Sequence, residues 1–116
     1  MITKNNEGQV LIFDWGQIEW LISGAQGNSQ TMTFGRVTIK AGHANPRHQH
    51  PNCDEILHLL SGTIEHSLRD EKFIMQAGDS ISIPTGVFHN ARTISVEDAV
   101  MLIAFSSPDR QTVSES

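Results

Sequence analysis

GHANPRHQHPNCDE, residues 42–55, is the stretch of this 116-residue chain that decides its fold. His48 and His50 are two positions apart, and in an extended chain this spacing places both imidazoles on one face. Glu55 follows a Pro-Asn loop that can turn the chain back, so its carboxylate can approach the same point. His89 lies on another predicted strand. Three imidazoles and one carboxylate form a mixed site for a divalent ion such as iron, manganese, cobalt, nickel, copper or zinc.

Such a set of ligands leaves coordination positions of the ion open. Four protein ligands on an ion that prefers six leave two positions for water or a substrate. A structural zinc site, in contrast, is closed, tetrahedral and usually rich in cysteine. The set therefore favours a catalytic site over a structural one.

The rest of the chain predicts strands and no long helix. Short apolar or alternating runs recur between Gly, Pro, Asn and Asp, which is typical of an all-β barrel or sandwich. We predict strands over residues 10–13, 18–22, 31–40, 47–50, 55–60, 63–68, 72–76, 80–83, 87–93 and 99–105. Without a repeat or a linker, residues 1–116 are predicted to form one domain. Its core covers about residues 10–106, and a short polar tail, 107–116, is expected to be loosely held.

Two runs of residues resemble the two sequence motifs of the cupin superfamily. The first run contains, at the family's spacing, Gly42, His48, His50, Glu55 and Gly62. The second run contains Gly78, Pro84, Gly86 and His89. Thr93 stands where the family usually has an asparagine, so the supporting hydrogen bond of that asparagine does not carry over. On these motifs the chain is identified as a small, single-domain cupin.

The resemblance implies an all-β double-stranded β-helix, a jelly-roll barrel of two sheets. It also implies one divalent metal ion inside the barrel, held by His48, His50, Glu55 and His89 and open to one mouth. The fold does not select a reaction. We expect a metal-dependent enzyme that acts on an enol, a hydroxy-ketone, a sugar derivative or a carboxylate through Lewis-acid or O₂ chemistry. Isomerase, cyclase, lyase and dioxygenase reactions stay open, and the alternative is a non-catalytic cupin that binds or senses a small ligand.

Five further residues are candidates for contact with a substrate: Arg36, His43, Met101, Ile103 and Phe105. Arg36 would pair with a substrate carboxylate if it pointed into the barrel. His43 is either a rim residue above the metal or a turn residue. The other three alternate on the last long predicted strand, where a pocket wall and a filled core look the same from sequence. No general base can be named, and a phenol is excluded because the chain has no tyrosine.

Two more histidines lie on predicted strands. Counting from Glu55, Leu57 and Leu59 share its face and His58 does not. We therefore expect His58, and likewise His66, on the outer sheet surface or in a subunit contact.

The charge and composition exclude several classes of partner. The formal net charge is −5, and the eight Lys and Arg residues are scattered. Nucleic acids and anionic membranes normally require a basic patch, so neither is expected as a partner. The only cysteine, Cys53, cannot form an intrachain disulfide, and the N-terminus lacks the apolar run of a secretory signal. We expect a cytoplasmic protein with a small-molecule ligand. We also expect a homodimer that covers Trp15, Trp20 and the strand at 99–105.

Overall fold

The computed structural model describes all 116 residues and contains eleven β-strands and no helix. The strands are β1 (Gln9–Phe13), β2 (Gly16–Ile22), β3 (Thr33–Ile39), β4 (His48–Gln49), β5 (Glu55–Ser61), β6 (Thr63–Leu68), β7 (Glu71–Gln76), β8 (Ser80–Ile83), β9 (His89–Thr93), β10 (Ala99–Phe105) and β11 (Val113–Ser114). They form two antiparallel sheets, a six-stranded one in the order β1-β2-β3-β10-β5-β8 and a five-stranded one in the order β11-β4-β9-β6-β7. The predicted all-β jelly-roll architecture is confirmed.

The six-stranded sheet presents a regular apolar face to the core. In β3, β5 and β10, buried residues alternate with more exposed ones, because successive side chains of a strand point to opposite faces. Met101 on the central strand β10 is opposite Val37 of β3 on one side and Leu59 of β5 on the other. These cross-strand contacts build the largest part of the hydrophobic core.

The five-stranded sheet closes the other side of the same core. Ile64 of β6 is fully buried, and Met75 of β7 and Ala91 of β9 join the same cluster. Strand β9 lies between β6 and β4. Its first residue, His89, is therefore next to His48 on β4. The core therefore lies between the two sheets, and the histidine-bearing strands line one end of it.

Gly62 makes the turn that transfers the chain from the first sheet to the second. Its φ is +83°, a value that side-chain-bearing residues rarely adopt. A Cβ at this position would also lie only 2.9 Å from the Cα of Ala99. Both the backbone conformation and the close approach of β10 require glycine between β5 and β6.

The C-terminal tail is ordered, so the expectation that it is loosely held is wrong. Val113 and Ser114 form β11, which pairs with β4. Near the end of the chain, Glu115 accepts a hydrogen bond from Arg47 at 3.0 Å. We call residues 107–115 the C-terminal strap, because they cross the end of the barrel where the histidines lie. Sequence patterning missed the strap because main-chain hydrogen bonds and polar contacts, which leave no apolar periodicity, hold it in place.

Two of the features expected in a subunit contact, Trp20 and strand β10, do not lie on an exposed surface. Trp20 is buried in the core, and β10 is the central strand of its sheet instead of an exposed one. The exposed apolar side chains lie on other strands, and Ile12 of the edge strand β1 is 80% exposed. The homodimer stays a prediction, with β1 as the surface that would be covered. No helical segment with the length and hydropathy needed to cross a membrane occurs in the structure.

Candidate metal centre

Four side chains from both sheets meet at the strap end of the barrel. His48 on β4 is directly opposite His89 on β9 in the antiparallel register. His50 follows β4 immediately, and Glu55 is the first residue of β5 in the other sheet. His50, Glu55 and His89 are buried, and His48 is half-buried. The two sheets thus bring together the four residues that the sequence motifs single out.

The ligand-type atoms of these four residues all lie within 4.8 Å of one another. The Oε1 of Glu55 is 3.0 Å from the Nε2 of His89 and 3.2 Å from the Nε2 of His50. An octahedral ion with bonds of about 2.1 Å to nitrogen and oxygen places neighbouring ligand atoms about 3 Å apart. The spacing in the structure therefore fits a single transition-metal ion.

The hydrogen bonds of the three imidazoles direct their lone pairs toward the same point. In each ring Nδ1 contacts a backbone carbonyl oxygen, which can only accept a hydrogen bond, so Nδ1 carries the proton. The acceptors are Pro46 for His48, Gln111 for His50 and Val87 for His89, at 2.7, 2.8 and 2.9 Å. With the proton on Nδ1, Nε2 is the ring nitrogen whose lone pair would bind a metal ion. Bonds of this kind orient histidine ligands around a metal ion.

The charges at the site also favour the binding of a cation. Burial by itself raises the pKa of Glu55, but contact with the imidazoles of His50 and His89 outweighs burial and lowers that pKa to about 2. Burial, together with the neighbouring His89, lowers the pKa of His48 to about 4. At neutral pH the carboxylate of Glu55 is therefore ionised, and its Oε1 lies 3.0 Å from Nε2 of His89 and 3.2 Å from Nε2 of His50. The buried Nε2 of His50 has no hydrogen-bond partner. A divalent ion bound by these atoms would neutralise the buried carboxylate and give Nε2 of His50 a partner.

A cavity of about 180 Å³ adjoins the four side chains. Met101, Ile103 and Phe105 line it from β10 and are 1%, 5% and 2% exposed. Phe105 also packs its ring edge-on against His50, with centroids 4.9 Å apart. The structure thus places these three candidate substrate residues beside the ligand cluster, and their contact with a substrate remains a proposal.

Two other candidate substrate residues lie away from the cavity. Arg36 is on the opposite face of β3 from the buried Val37 and donates hydrogen bonds to the carboxylate of Glu19 at 2.7 and 3.1 Å. His43 is exposed in the turn after β3, and its Nδ1 lies 3.1 Å from the carbonyl oxygen of Ala41. Arg36 does not line the cavity because it points to the outer face of β3. His43 does not line it because it lies in an exposed turn.

His66 lies inside the barrel, so the expectation that it faces outward is wrong. It is 1% exposed, lines the cavity and stacks on His89 with the rings 5.9 Å apart and 10° from parallel. Its Nδ1 is buried without a hydrogen-bond partner. Ile64, two residues earlier, is fully buried on the same face of β6. That neighbour was the signal in the sequence that could have placed His66 correctly. His58, in contrast, is only half-buried and contacts Ser80, as expected for the outer face.

Two features near the site had no clear signal in the sequence. Arg110 and Thr112 of the C-terminal strap line the cavity. Thr93, at the position where the family usually has asparagine, is buried and donates a hydrogen bond to the carbonyl oxygen of Ile39 at 3.0 Å. Thr93 thus links β9 to β3, so this position keeps a supporting hydrogen bond.

Comparison with known proteins agrees with this geometry. A family model described as "Cupin domain" matches residues 35–105, more than half of the chain. The chain belongs to the cupin family. Among curated proteins, this cupin is 27% identical over 85 residues to germin-like protein 3-8 of Oryza sativa subsp. japonica, a match that covers 69% of the chain and 38% of the relative.

Solved structures of oxalate decarboxylases share the fold of this cupin. The enzyme of Lactobacillus farciminis, in a formate complex, superposes with a TM-score of 0.86 at 24% identity over 94% of the chain, which shows the fold alone. The enzyme of Bacillus subtilis, studied for its Mn(II) centres, superposes with a TM-score of 0.85 at 26% identity over 93% of the chain. The chain spans only 34% and 30% of these two enzymes.

Proposed function

We propose that this cupin is a metal-dependent enzyme that acts on a small oxygen-rich molecule. The observation that carries the proposal is the convergence of His48, His50, Glu55 and His89 at one end of an internal cavity. The manganese centres of the similar Bacillus subtilis decarboxylase support the assignment of a metal. A divalent ion held by these residues would supply Lewis-acid chemistry toward substrate oxygens or, with a redox-active metal, reaction with O₂.

The chain's own residues would restrict which molecules reach the site. Apolar side chains of β10, together with Trp20 and Leu57, form the walls and keep bulk water away from the ligand cluster. The cavity of about 180 Å³ is smaller than the 300–1,000 Å³ typical of drug-sized ligands. We therefore propose a substrate of only a few non-hydrogen atoms, as an enol, a hydroxy-ketone or a simple carboxylate would be.

His66 would add one polar group to the substrate side of the cavity. Its buried Nδ1 has no hydrogen-bond partner in the structure and would exchange a hydrogen bond with a bound molecule. Burial and the neighbouring His89 lower the pKa of His66 to about 4, so the ring is neutral at physiological pH. A neutral imidazole offers one donor and one acceptor, which suits a hydroxyl or a carbonyl oxygen.

A metal-reconstitution experiment tests the proposal. The protein is stripped with a chelator, reloaded separately with manganese, iron, cobalt, nickel and zinc, and its metal content is measured by mass spectrometry. Each form is then assayed for O₂ uptake and CO₂ release with oxalate, small enols, diketones and hydroxy-ketones. We expect one equivalent of metal and turnover that His89→Ala abolishes. A metal-loaded protein that turns over none of these compounds but gains thermal stability from one of them would be a ligand-binding cupin instead.

A further inference from the structure

We infer that Arg110, on the C-terminal strap, is an anion-binding residue that selects substrates carrying a carboxylate group. The inference rests on the proposed function, since it assumes that substrate enters the cavity beside the ligand cluster. Arg110 is the only Lys or Arg among the residues that line this cavity. It enters from the strap, a segment outside both sequence motifs.

The guanidinium group of Arg110 is held in place by aromatic rings. It lies 4.4 Å above the ring centroid of Trp20 and 5.3 Å from that of Phe105. Arginine readily stacks on aromatic faces, and this arrangement leaves the N–H groups at the edge of its plane available. The two rings are themselves core residues, 7% and 2% exposed, so the platform is rigid.

The strap also ties Arg110 to the candidate metal ligands. One guanidinium nitrogen donates a hydrogen bond to Oγ1 of Thr112. That hydroxyl lies 3.3 Å from Nδ1 of His50, and the carbonyl oxygen of the intervening Gln111 accepts from the same Nδ1. Arg110 and His50 are thus positioned by the same short segment. Arg110 and His50 also line the same cavity, so a molecule bound there could contact both.

The structure gives Arg110 no anionic partner. Three of the other seven Lys and Arg side chains have a carboxylate neighbour within 4 Å, namely Arg36 with Glu19, Arg47 with Glu115 and Lys72 with Glu65. The single hydrogen bond to Thr112 leaves most of the five guanidinium donors without a protein acceptor. These donors are free to bind an anionic ligand that enters the cavity. A carboxylate matches the forked geometry of the guanidinium group.

The net charge of the cavity favours the same class of ligand. Glu55 is the only acidic residue in the lining, and its single negative charge is opposed by Arg110. With neutral imidazoles, a bound divalent ion would leave the cavity with an excess of about two positive charges. A mono- or dianionic carboxylate offsets this excess, and a neutral hydroxy-ketone does not.

Ligand titrations of the cobalt(II)-loaded protein test the inference. Carboxylate binding is followed through the visible spectrum of the metal with acetate and oxalate, and imidazole serves as an uncharged ligand. We expect Arg110→Met to weaken binding of at least one carboxylate by about tenfold or more, the magnitude of a lost charge-assisted hydrogen bond. Imidazole binding should stay within about twofold. Arg110→Lys, which keeps the charge without the fork, should fall between the two proteins.

Control measurements distinguish a failure of the inference about Arg110 from a failure of the proposed metal site. Arg92→Met removes an equal charge from the exposed side of β9 and should bind both carboxylates as the unaltered protein does. Metal content is measured for every variant before and after titration. An Arg110→Met protein that keeps its metal and binds both carboxylates within twofold of the unaltered protein overturns the inference. If the unaltered protein binds imidazole at its metal but neither carboxylate, the inference fails and the proposed metal site stands. If it retains no metal, both fail.

Discussion

His50 donates a hydrogen bond from its Nδ1 to the carbonyl oxygen of Gln111, 2.8 Å away and 61 residues later in the chain. This bond makes the C-terminal strap part of the support of a candidate metal ligand. It directs the free lone pair of His50 toward Glu55 and His89. The strap therefore affects the ligand cluster even though none of its residues belongs to the cluster.

Removal of the strap should weaken metal binding. A chain that ends at Ser106 loses the acceptor of His50 and the β11 pairing with β4. We expect metal affinity to fall by about 10- to 100-fold, the usual effect of losing such a supporting bond. Competition with a chromogenic chelator measures the change. Gln111→Ala is the matched control: it keeps the backbone carbonyl, so its affinity should match that of the unaltered protein. An unchanged affinity in the truncated chain would show that the strap does not support His50.

Loss of a single imidazole should empty the site without unfolding the barrel. In His48→Ala and His89→Ala proteins we expect metal content to drop to a small fraction of one equivalent, measured by mass spectrometry after dialysis. The circular dichroism spectrum should stay that of a β-protein, because the core lies between the sheets and the ligands lie at its end. His58→Ala, on the outer face of β5, is the control and should keep its metal. Full metal content in both ligand variants would contradict the assignment.

The metal-free protein should lose stability as the pH falls below neutrality. Burial and the neighbouring His89 lower the pKa of His66 from 6.5 to about 4. Between these values the unfolded chain binds a proton that the folded chain does not, so the free energy of unfolding decreases as pH decreases. The full shift corresponds to about 3 kcal/mol. Glu55, whose pKa is lowered from 4.5 to about 2, acts in the same direction at still lower pH.

Urea unfolding at several pH values between 7 and 4 measures this dependence. His66→Leu removes the group that the unfolded chain protonates, so its stability should change less steeply across the window. The slopes of the free energy of unfolding against pH should differ between the two proteins by the equivalent of up to one bound proton. Identical slopes would mean that His66 is not held neutral in the folded protein.

A side chain at position 62 should destabilise the fold strongly. Gly62→Ala places a Cβ 2.9 Å from the Cα of Ala99 in a backbone conformation with φ of +83°. We expect a loss of at least about 2 kcal/mol, from the left-handed conformation and the clash together. Gly78→Ala is the matched control, since its φ is +98° but its Cβ would meet no atom within 4 Å. Thermal or urea unfolding should rank Gly62→Ala below Gly78→Ala, and the reverse order would contradict the role of the close contact.

The chain should dimerise through its first strand. Val10 and Ile12 on β1 are 47% and 80% exposed at the edge of the six-stranded sheet, which is an unfavourable place for apolar side chains in a free monomer. Light scattering at micromolar concentration should give twice the chain mass. Ile12→Lys should shift the protein toward monomer, and Val96→Lys, which alters a 96% exposed residue outside the strands, should not. A monomeric unaltered protein would end this prediction.

The different outcomes for His58 and His66 have a physical cause. On β5 the position of Glu55 set the phase of the alternation, and His58 was placed correctly on the outer side. On β6 the phase was not set from the apolar Ile64, and His66 was placed on the wrong face. Period-two alternation predicts which residues share a face. Only an anchor residue or the tertiary structure shows which face is inside.

The sequence by itself determined the cupin fold and the four candidate ligands, because the spacing of His48, His50, Glu55 and His89 and of the turn glycines matches the two cupin motifs. Only the tertiary structure placed Arg110 in the cavity, the strap on His50 and His66 beside His89. These contacts join residues far apart in the chain through backbone carbonyls, aromatic faces and ring stacking. Such interactions impose no periodicity on the sequence, so they can be recognised only in the folded structure, where the two sheets enclose the cavity.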